Sequence, residues 1–411
     1  NMGVARRDFL KVVSSASVIG GLSGISIKTE SASANAHAFG FDENHVPMNA
    51  ANLCPMPTSI TKAQKEYAAQ LDLSLSTSSR RAVEAGKAKA RSRIAGLLGV
   101  SGDELAIVRN TSEANNIIVQ GMPLGDGDEV ILWDQNHPSN LVAWDVQVSR
   151  VGGSVRRFSV PTNVGSVDEV VDLFVRSVTD STKVISFTHI SNITGFQTPV
   201  AEICAAIKKR KDDVHIHVDG AQTWGAVDID LGAIRCDSFS GSAHKWFMGP
   251  REVGILYVRD TRIDDIWPNI VGVPWGSTSA DSPKGARKFE SMGQRDDAAI
   301  AALSDTALLH ETITPESIEQ QSALVAGRLR EGLQDLGLPF ISSTNPAFSS
   351  SVIILQAPRK TAGQMVREVF HEAGVQTAAT GGLRMSPHIY NTADHVDRVI
   401  AAVHKKRALL S

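Results

Sequence analysis

Two residue types in two phrases carry the chemistry of this chain. Lys245 lies in Ser240-Gly241-Ser242-Ala243-His244-Lys245-Trp246, just before the Gly-Pro loop Met248-Gly249-Pro250. Asp219 lies in His217-Val218-Asp219-Gly220-Ala221-Gln222, at the end of an apolar run that reads as a buried strand. A lysine amine held near cations and partly out of water loses its proton readily and becomes a nucleophile toward an aldehyde. A carboxylate at a strand end keeps a pyridine nitrogen protonated, so that the ring accepts electrons. These are the two requirements of pyridoxal 5′-phosphate (PLP): a lysine for the Schiff base and an acid for the ring nitrogen. Once a substrate amine displaces it, the lysine is free to carry protons between the substrate Cα and the cofactor C4′. Asp-Gly alone is also a common turn or helix cap, and loop lysines are usually surface residues. Gln222 and the His-Lys-Trp context set these two apart.

Further positions extend the constellation. Thr111-Ser112-Glu113-Ala114-Asn115-Asn116 follows the apolar run Leu105 to Val108 and opens a helix. Free N–H groups at a helix start, with hydroxyls beside them, suit a phosphate. On that motif alone, a plain N-cap with an acidic first turn accounts for the residues equally well. Asn136-His137-Pro138-Ser139-Asn140 and Ser191-Asn192-Ile193-Thr194-Gly195 each follow a strand. Arg384 stands in Gly381-Gly382-Leu383-Arg384-Met385-Ser386-Pro387-His388-Ile389-Tyr390-Asn391. Its fork suits bidentate capture of an amino-acid carboxylate, against the plainer reading of a structural arginine before the last helix. Asn49 is a second candidate for binding substrate. Trp133, Trp144, Trp275, His388 and Tyr390 are candidates for lining a substrate pocket, though none names a side chain. His215 and His217 alternate on one strand without a third ligand phrase, so no metal site is expected.

The elements that must position these residues are those of an α/β protein. Glu129 to Trp133, Lys183 to Phe187 and Val214 to Val218 are short apolar strands between helical patterns such as Ala85 to Leu98. That rhythm implies a mainly parallel sheet covered by helices on both faces. Beyond residue 301 the chain turns mostly helical, with one strand at Ser351 to Leu355. A last amphipathic helix places Val396, Val399, Ile400 and Val403 on one face. The expected organisation is a signal at 1–36, an arm at 37–60, a large domain at 61–300 and a smaller α+β domain at 301–411.

The bulk composition narrows the function classes. With 411 residues, 42% hydrophobic and 21% charged, the chain has the make-up of a soluble globular protein. A net charge of −3 gives no electrostatic case for nucleic acid or anionic membrane. Cys54, Cys204 and Cys236 are too few for a disulfide framework or a Cys-rich metal site. Arg6-Arg7, Phe9-Leu10-Lys11 and the diluted apolar stretch Val12 to Ile27 read as a twin-arginine export signal, cleaved after Ala34 or Ala36. Gly20, Gly21 and Gly24 make that stretch too polar and short for a stable membrane span. A periplasmic or secreted protein is expected.

Taken in order, these motifs resemble the aminotransferase class V family of fold-type I PLP enzymes over roughly residues 45–410. Within it the isopenicillin-N-epimerase-like branch is most similar. The resemblance implies a large PLP-binding domain and a smaller C-terminal one, with the pocket between them completed by a second subunit of a homodimer. It implies that Thr111, Ser112, Ser242 and His244 hold the phosphate and that His137 stacks on the ring. Asn192 and Gln222 are implied near the phenolic oxygen. Two departures stand out. After Phe289-Glu290, Gln294 replaces the family's threonine that reaches the neighbouring subunit's phosphate, and Asn136 replaces an acidic residue. Desulfurases of the family carry a loop cysteine before the substrate arginine, and Thr377 to Leu383 has none. The implied activity is aminotransferase-type chemistry at the α-carbon of an amino acid or peptide-like amine. Epimerisation comes next and β-elimination after it. A non-catalytic PLP-binding protein is disfavoured by the retained Lys245, Asp219, Gln222 and Arg384.

Overall fold

The computed structural model describes residues 38–272 and 283–410. The expected export signal, with both cleavage sites, and Trp275 lie outside the described residues.

The strands are β1 (Val46–Pro47), β2 (Leu105–Val108), β3 (Glu129–Trp133), β4 (Ser154–Phe158), β5 (Thr182–Thr188), β6 (His215–Asp219), β7 (Ser238–Ser242), β8 (Gly254–Val258), β9 (Ile353–Leu355), β10 (Val375–Gln376) and β11 (Leu383–Met385). Seven of them form one sheet in the order β2-β8-β7-β6-β5-β3-β4. Its pairings are parallel except those of β8, which runs against β2 and β7. Strand alternation sends Ile131, Trp133, Ile185, Phe187, Ile216, Val218 and Phe239 into one core. Val130, Leu132, Val184, Leu256 and Val258 enter a second core on the opposite face. Both faces are therefore buried, which is why β3 over 130–133 and β5 over 184–187 read as near-continuous hydrophobic runs.

The expected helix at Ala85 to Leu98 is longer, spanning Thr77–Leu97. Its first turns, Thr77-Ser78-Ser79-Arg80-Arg81, are mostly exposed and carry no apolar period. Ser76 nonetheless starts the helix there by accepting from the Ser79 N–H. The Asp297–Ile313 helix packs on this one and on the Thr58–Leu73 helix. A boundary at residue 300 falls inside it, because Ala299, Ile300, Leu303 and Ala307 all enter the large core. The approach is close: a Cβ at Gly86 would lie 3.2 Å from that of Ala301.

The C-terminal body pairs β9 with β11 antiparallel. The Pro315–Asp335 and Ala393–Lys405 helices supply Leu329, Leu333, Val396, Val399 and Val403 to its core. Ile400 is half-buried and rests against Gly332, where a Cβ would lie 2.2 Å from Ile400 Cδ1. Of the arm, β1 pairs parallel with β10 and Met48 is buried in the core of the C-terminal body. The arm thereby joins the C-terminal body to the sheet end where β6 and β7 finish. No described helix is long and apolar enough to cross a membrane.

Candidate active site

The carboxyl ends of parallel strands are where a doubly wound sheet leaves a crevice, because neighbouring connections diverge there. A cavity of about 270 Å³ opens at this edge. Asp219 ends β6, Ser242 ends β7, and Lys245 follows three residues later. His137 follows β3 and Asn192 follows β5. All five line the cavity, together with Thr111, Ser112, Gln222 and His244.

Asp219 is buried with both oxygens accepting, Oδ2 from Asn115 Nδ2 at 2.9 Å and Oδ1 from the Ala221 N–H at 3.0 Å. The next residue must be glycine, since a Cβ at Gly220 would lie 1.8 Å from the Phe239 ring. Around Lys245 the loop is bolted from several elements. Cys54 N–H donates to His244 O at 2.9 Å and Met248 N–H to Lys245 O at 2.8 Å. Met248 takes a left-handed backbone (φ 55°) to make that turn. Burial lowers the Lys245 pKa from its ordinary value; the charge of Asp219 opposes this and that of Arg384 adds to it. His137 is shifted down as well, by burial first and by the Lys245 charge second. His244 is pushed down to about 4 by burial, with Lys245 and Arg251 adding to it.

The helix start at Thr111 has the cap that one sequence reading expects and lines the cavity as the other requires. Asn110 is the cap, accepting from the Glu113 N–H at 3.0 Å. Thr111 N–H donates to Ser242 Oγ at 2.8 Å, and the two hydroxyls lie 2.7 Å apart. Ser112 is thus left at a helix N-terminus beside two hydroxyls, an arrangement that favours a phosphate.

Arg384 and Asn49, both read as substrate binders, touch each other. Arg384 Nη2 donates to Asn49 Oδ1 at 3.1 Å and Nη1 to Asn192 O at 3.1 Å. Its buried Nε has no partner among the described residues. Burial pushes Arg384 down to about 10. An oriented, incompletely satisfied guanidinium of this kind suits a carboxylate. Replacing it by lysine keeps a cation but removes the planar fork. We expect Arg384→Lys to raise KM for an amino-acid substrate about 10–100-fold, the equivalent of one charge-assisted hydrogen bond, with a smaller change in kcat. Steady-state kinetics on the two proteins would check this, and an unchanged KM would remove the carboxylate role.

Three further positions are engaged within the chain itself. Gln222 donates to Ala51 O at 3.0 Å and accepts from Trp246 Nε1 at 2.8 Å, so only its second N–H remains for a cofactor oxygen. Gln294 is exposed, does not line the cavity and donates to Asp297 Oδ2 at 3.0 Å. Asn136 is a clamp: it donates to Ser186 O at 2.8 Å and accepts from Thr188 N–H at 2.9 Å. A carboxylate cannot do both, which accounts for the amide at this position. The aromatic candidates are corrected. Trp133 packs on Phe174 and Phe196 inside the core, and Trp144 is buried in the core on the other face. His388 donates to Trp246 O, and Tyr390 donates to Cys54 Sγ. None of these four lines the cavity. Asn115, Thr188 and Ser139 do line it, and sequence reading gave them no role. Asn115 had one available signal, its position one helical turn beyond Thr111 on the same face.

Residues 49–399 match the aminotransferase class-V family. The chain belongs to that family. Isopenicillin N epimerase of Amycolatopsis lactamdurans is 29% identical over 337 residues, covering 76% of this chain and 83% of that protein. A cysteine desulfurase of Haloferax volcanii is 28% identical over 352 residues, covering 78% of this chain and 79% of the other. The solved structure of C-DES with glycine covalently linked to its PLP cofactor has a TM-score of 0.82 at 22% identity, covering 90% of this chain and 98% of that one. The architecture is the fold of type I PLP enzymes.

As a class-V enzyme the protein uses PLP, and the cavity fits that cofactor group by group. Asp219 would be the acid available to the ring nitrogen and Lys245 the amine available to the aldehyde. Thr111, Ser112, Ser242 and His244 are available to the phosphate, and His137 to the ring face.

Proposed function

We propose that this class-V enzyme acts at the α-carbon of an amino acid or peptide-like amine, with transamination as the outcome. The observation that carries this reading is the meeting of Lys245 and Asp219 in one cavity, with the Arg384 fork close enough to lower the Lys245 pKa. PLP supplies an electron sink for the α-carbon when bound. The lowered pKa of Lys245 raises its share of neutral amine, so it would take the proton from the substrate Cα and hold it for return. Asp219 holds the charge of the ring nitrogen. Arg384, steadied by Asn49 and by the Asn192 carbonyl, orients the substrate carboxylate.

Epimerisation is the second reading. The epimerase relative favours it, and His137 lines the cavity as a further base. Persulfide chemistry fits less well. Cys54, Cys204 and Cys236 are all buried and none lines the cavity, and burial pushes Cys54 up to about 12. A β-elimination that needs no thiol is a weaker third outcome. We also propose that the enzyme works outside the cytoplasm, on the strength of Arg6-Arg7 and the stretch that follows, and that it works as a homodimer.

The test is an amine panel in deuterated water, with and without an α-keto acid acceptor. Transfer of the amino group to the acceptor supports transamination. Deuterium at Cα with inversion and no transfer supports epimerisation. If the PLP-loaded protein neither exchanges the Cα proton nor transfers the amine of any panel member, the proposal fails.

A further inference from the structure

Behind Asp219 lies a row of buried polar groups that the chemistry above does not use. His215, His217 and Asp219 share one face of β6, because alternate strand residues point the same way. Ser238 and Ser240 pair with His217 and Asp219 on β7. Asn115 covers this row from the Thr111–Gly121 helix. His215, His217, Ser238 and Ser240 have no solvent exposure, while Asn115 and Asp219 are each 2% exposed.

Counting hydrogens gives the row a direction. Asn115 Nδ2 lies 2.9 Å from Asp219 Oδ2, and the opposite amide orientation would set two acceptor oxygens against each other. Asn115 Oδ1 therefore faces away, toward Ser240 Oγ at 2.6 Å and His217 Nε2 at 2.9 Å. Both must donate to it. With its proton on Nε2, His217 has Nδ1 free to accept from Ser238 Oγ at 2.8 Å. The single hydroxyl proton of Ser238 is then spent, so His215 Nε2, also at 2.8 Å, donates to it. What remains is Nδ1 of His215, without a partner among the described residues, a lone pair rather than a stranded N–H.

We infer that Asn115 is a positioning residue for the cofactor: locked by His217 and Ser240, it presents a hydrogen to Asp219 and so keeps that carboxylate an acceptor toward the ring nitrogen. This rests on the reading that the ring nitrogen sits against Asp219. Without Asn115, Asp219 Oδ2 loses its side-chain donor at a buried position, where each hydrogen bond lost to a charge is costly. The carboxylate is then held less firmly as an acceptor, and a ring nitrogen set against it would keep its proton less firmly. With Asn115 present but both locks removed, its Oδ1 loses both donors and the amide is no longer held in place. Its hydrogen is then presented to Asp219 less firmly, weakening the same support.

The experiment is ¹⁵N NMR of protein loaded with PLP labelled at the ring nitrogen. It compares wild type, Asn115→Leu and the double variant His217→Leu/Ser240→Ala. The wild-type resonance is expected at the protonated-pyridine position. In both variants it should move toward the unprotonated position, with kcat lower by about 10–100-fold and KM unchanged, because Arg384 is untouched. Circular dichroism confirms folding, and the double variant carries the test if Asn115→Leu does not fold. A folded variant whose ring nitrogen stays at the wild-type position overturns the inference. A wild-type resonance already at the unprotonated position overturns the placement of the ring on Asp219, and the inference falls with it.

Discussion

Lys245→Ala is expected to fold, to bind PLP without a covalent link, and to turn over substrate about 10²–10⁴-fold more slowly, the range for loss of a positioned proton carrier. The groups implied to hold the cofactor do not involve the lysine side chain. Thr111 and Ser242 bond each other, Asp219 is held by Asn115 and Ala221, and His137 is held by Ser139. The loop around residue 245 is fixed through its carbonyls, with His388 donating to Trp246 O at 2.8 Å and His310 to Phe247 O at 2.9 Å. Truncation should therefore leave the pocket standing and remove only the amine. Borohydride treatment followed by mass spectrometry is the check. The wild-type peptide containing Lys245 should carry the added cofactor mass and the variant should carry none. Partial recovery of rate with a small added primary amine would show that proton carriage was what had been lost. A variant that retained wild-type turnover would remove Lys245 from the reaction.

The legible part of this site was the part in which residue type and strand position suffice. Asp219 ends an apolar run and Lys245 precedes a Gly-Pro loop, so the chain itself places both at the sheet edge. Asn115 was not legible in role, because it acts only through contacts with β6 and β7, more than a hundred residues away in sequence. Trp133 and Trp144 were read toward a pocket because bulky aromatics suit one. Strand alternation turns Trp133 into the Phe174 and Phe196 cluster, and Trp144 lies on the buried face of the Pro138–Val151 helix. Among the strands, Ser154–Phe158, Ser238–Ser242 and Gly254–Val258 have no strand reading, the first two because serines and arginines interrupt the apolar pattern. Those read at Leu105 to Val108, Glu129 to Trp133, Lys183 to Phe187 and Val214 to Val218 lie within a residue of those observed, since their apolar runs are unbroken. The start of the Thr77–Leu97 helix was missed for the opposite reason, because its first turns face solvent and show no period.

The second large effect is loss of the fold in mild acid. Burial pushes His189, His310 and His388 down to about 4 and His217 down to about 3, all from an ordinary 6.5. All four are buried. A histidine with a depressed folded pKa is neutral in the fold and protonates once unfolded. Between its two pKa values the unfolded chain binds more protons, so stability rises with pH. The contribution is fully present above about pH 6.5 and is lost as pH falls toward 4. At pH 5 each of the four should already have cost about 2 kcal/mol, or about 8 together. A whole domain is stable by only ~5–15 kcal/mol. We therefore expect the protein to unfold with a midpoint between about pH 4 and 5.5. Denaturant titrations at pH 7.5, 6 and 5 would check it, and equal stability at all three would refute the assignment of neutral buried histidines. His388 and His310 make the loss functional as well as structural, because their N–H groups hold the two carbonyls that follow Lys245. Their protonation accompanies release of that loop, so cofactor should leave in the same transition as the fold and not in a separate step at higher pH.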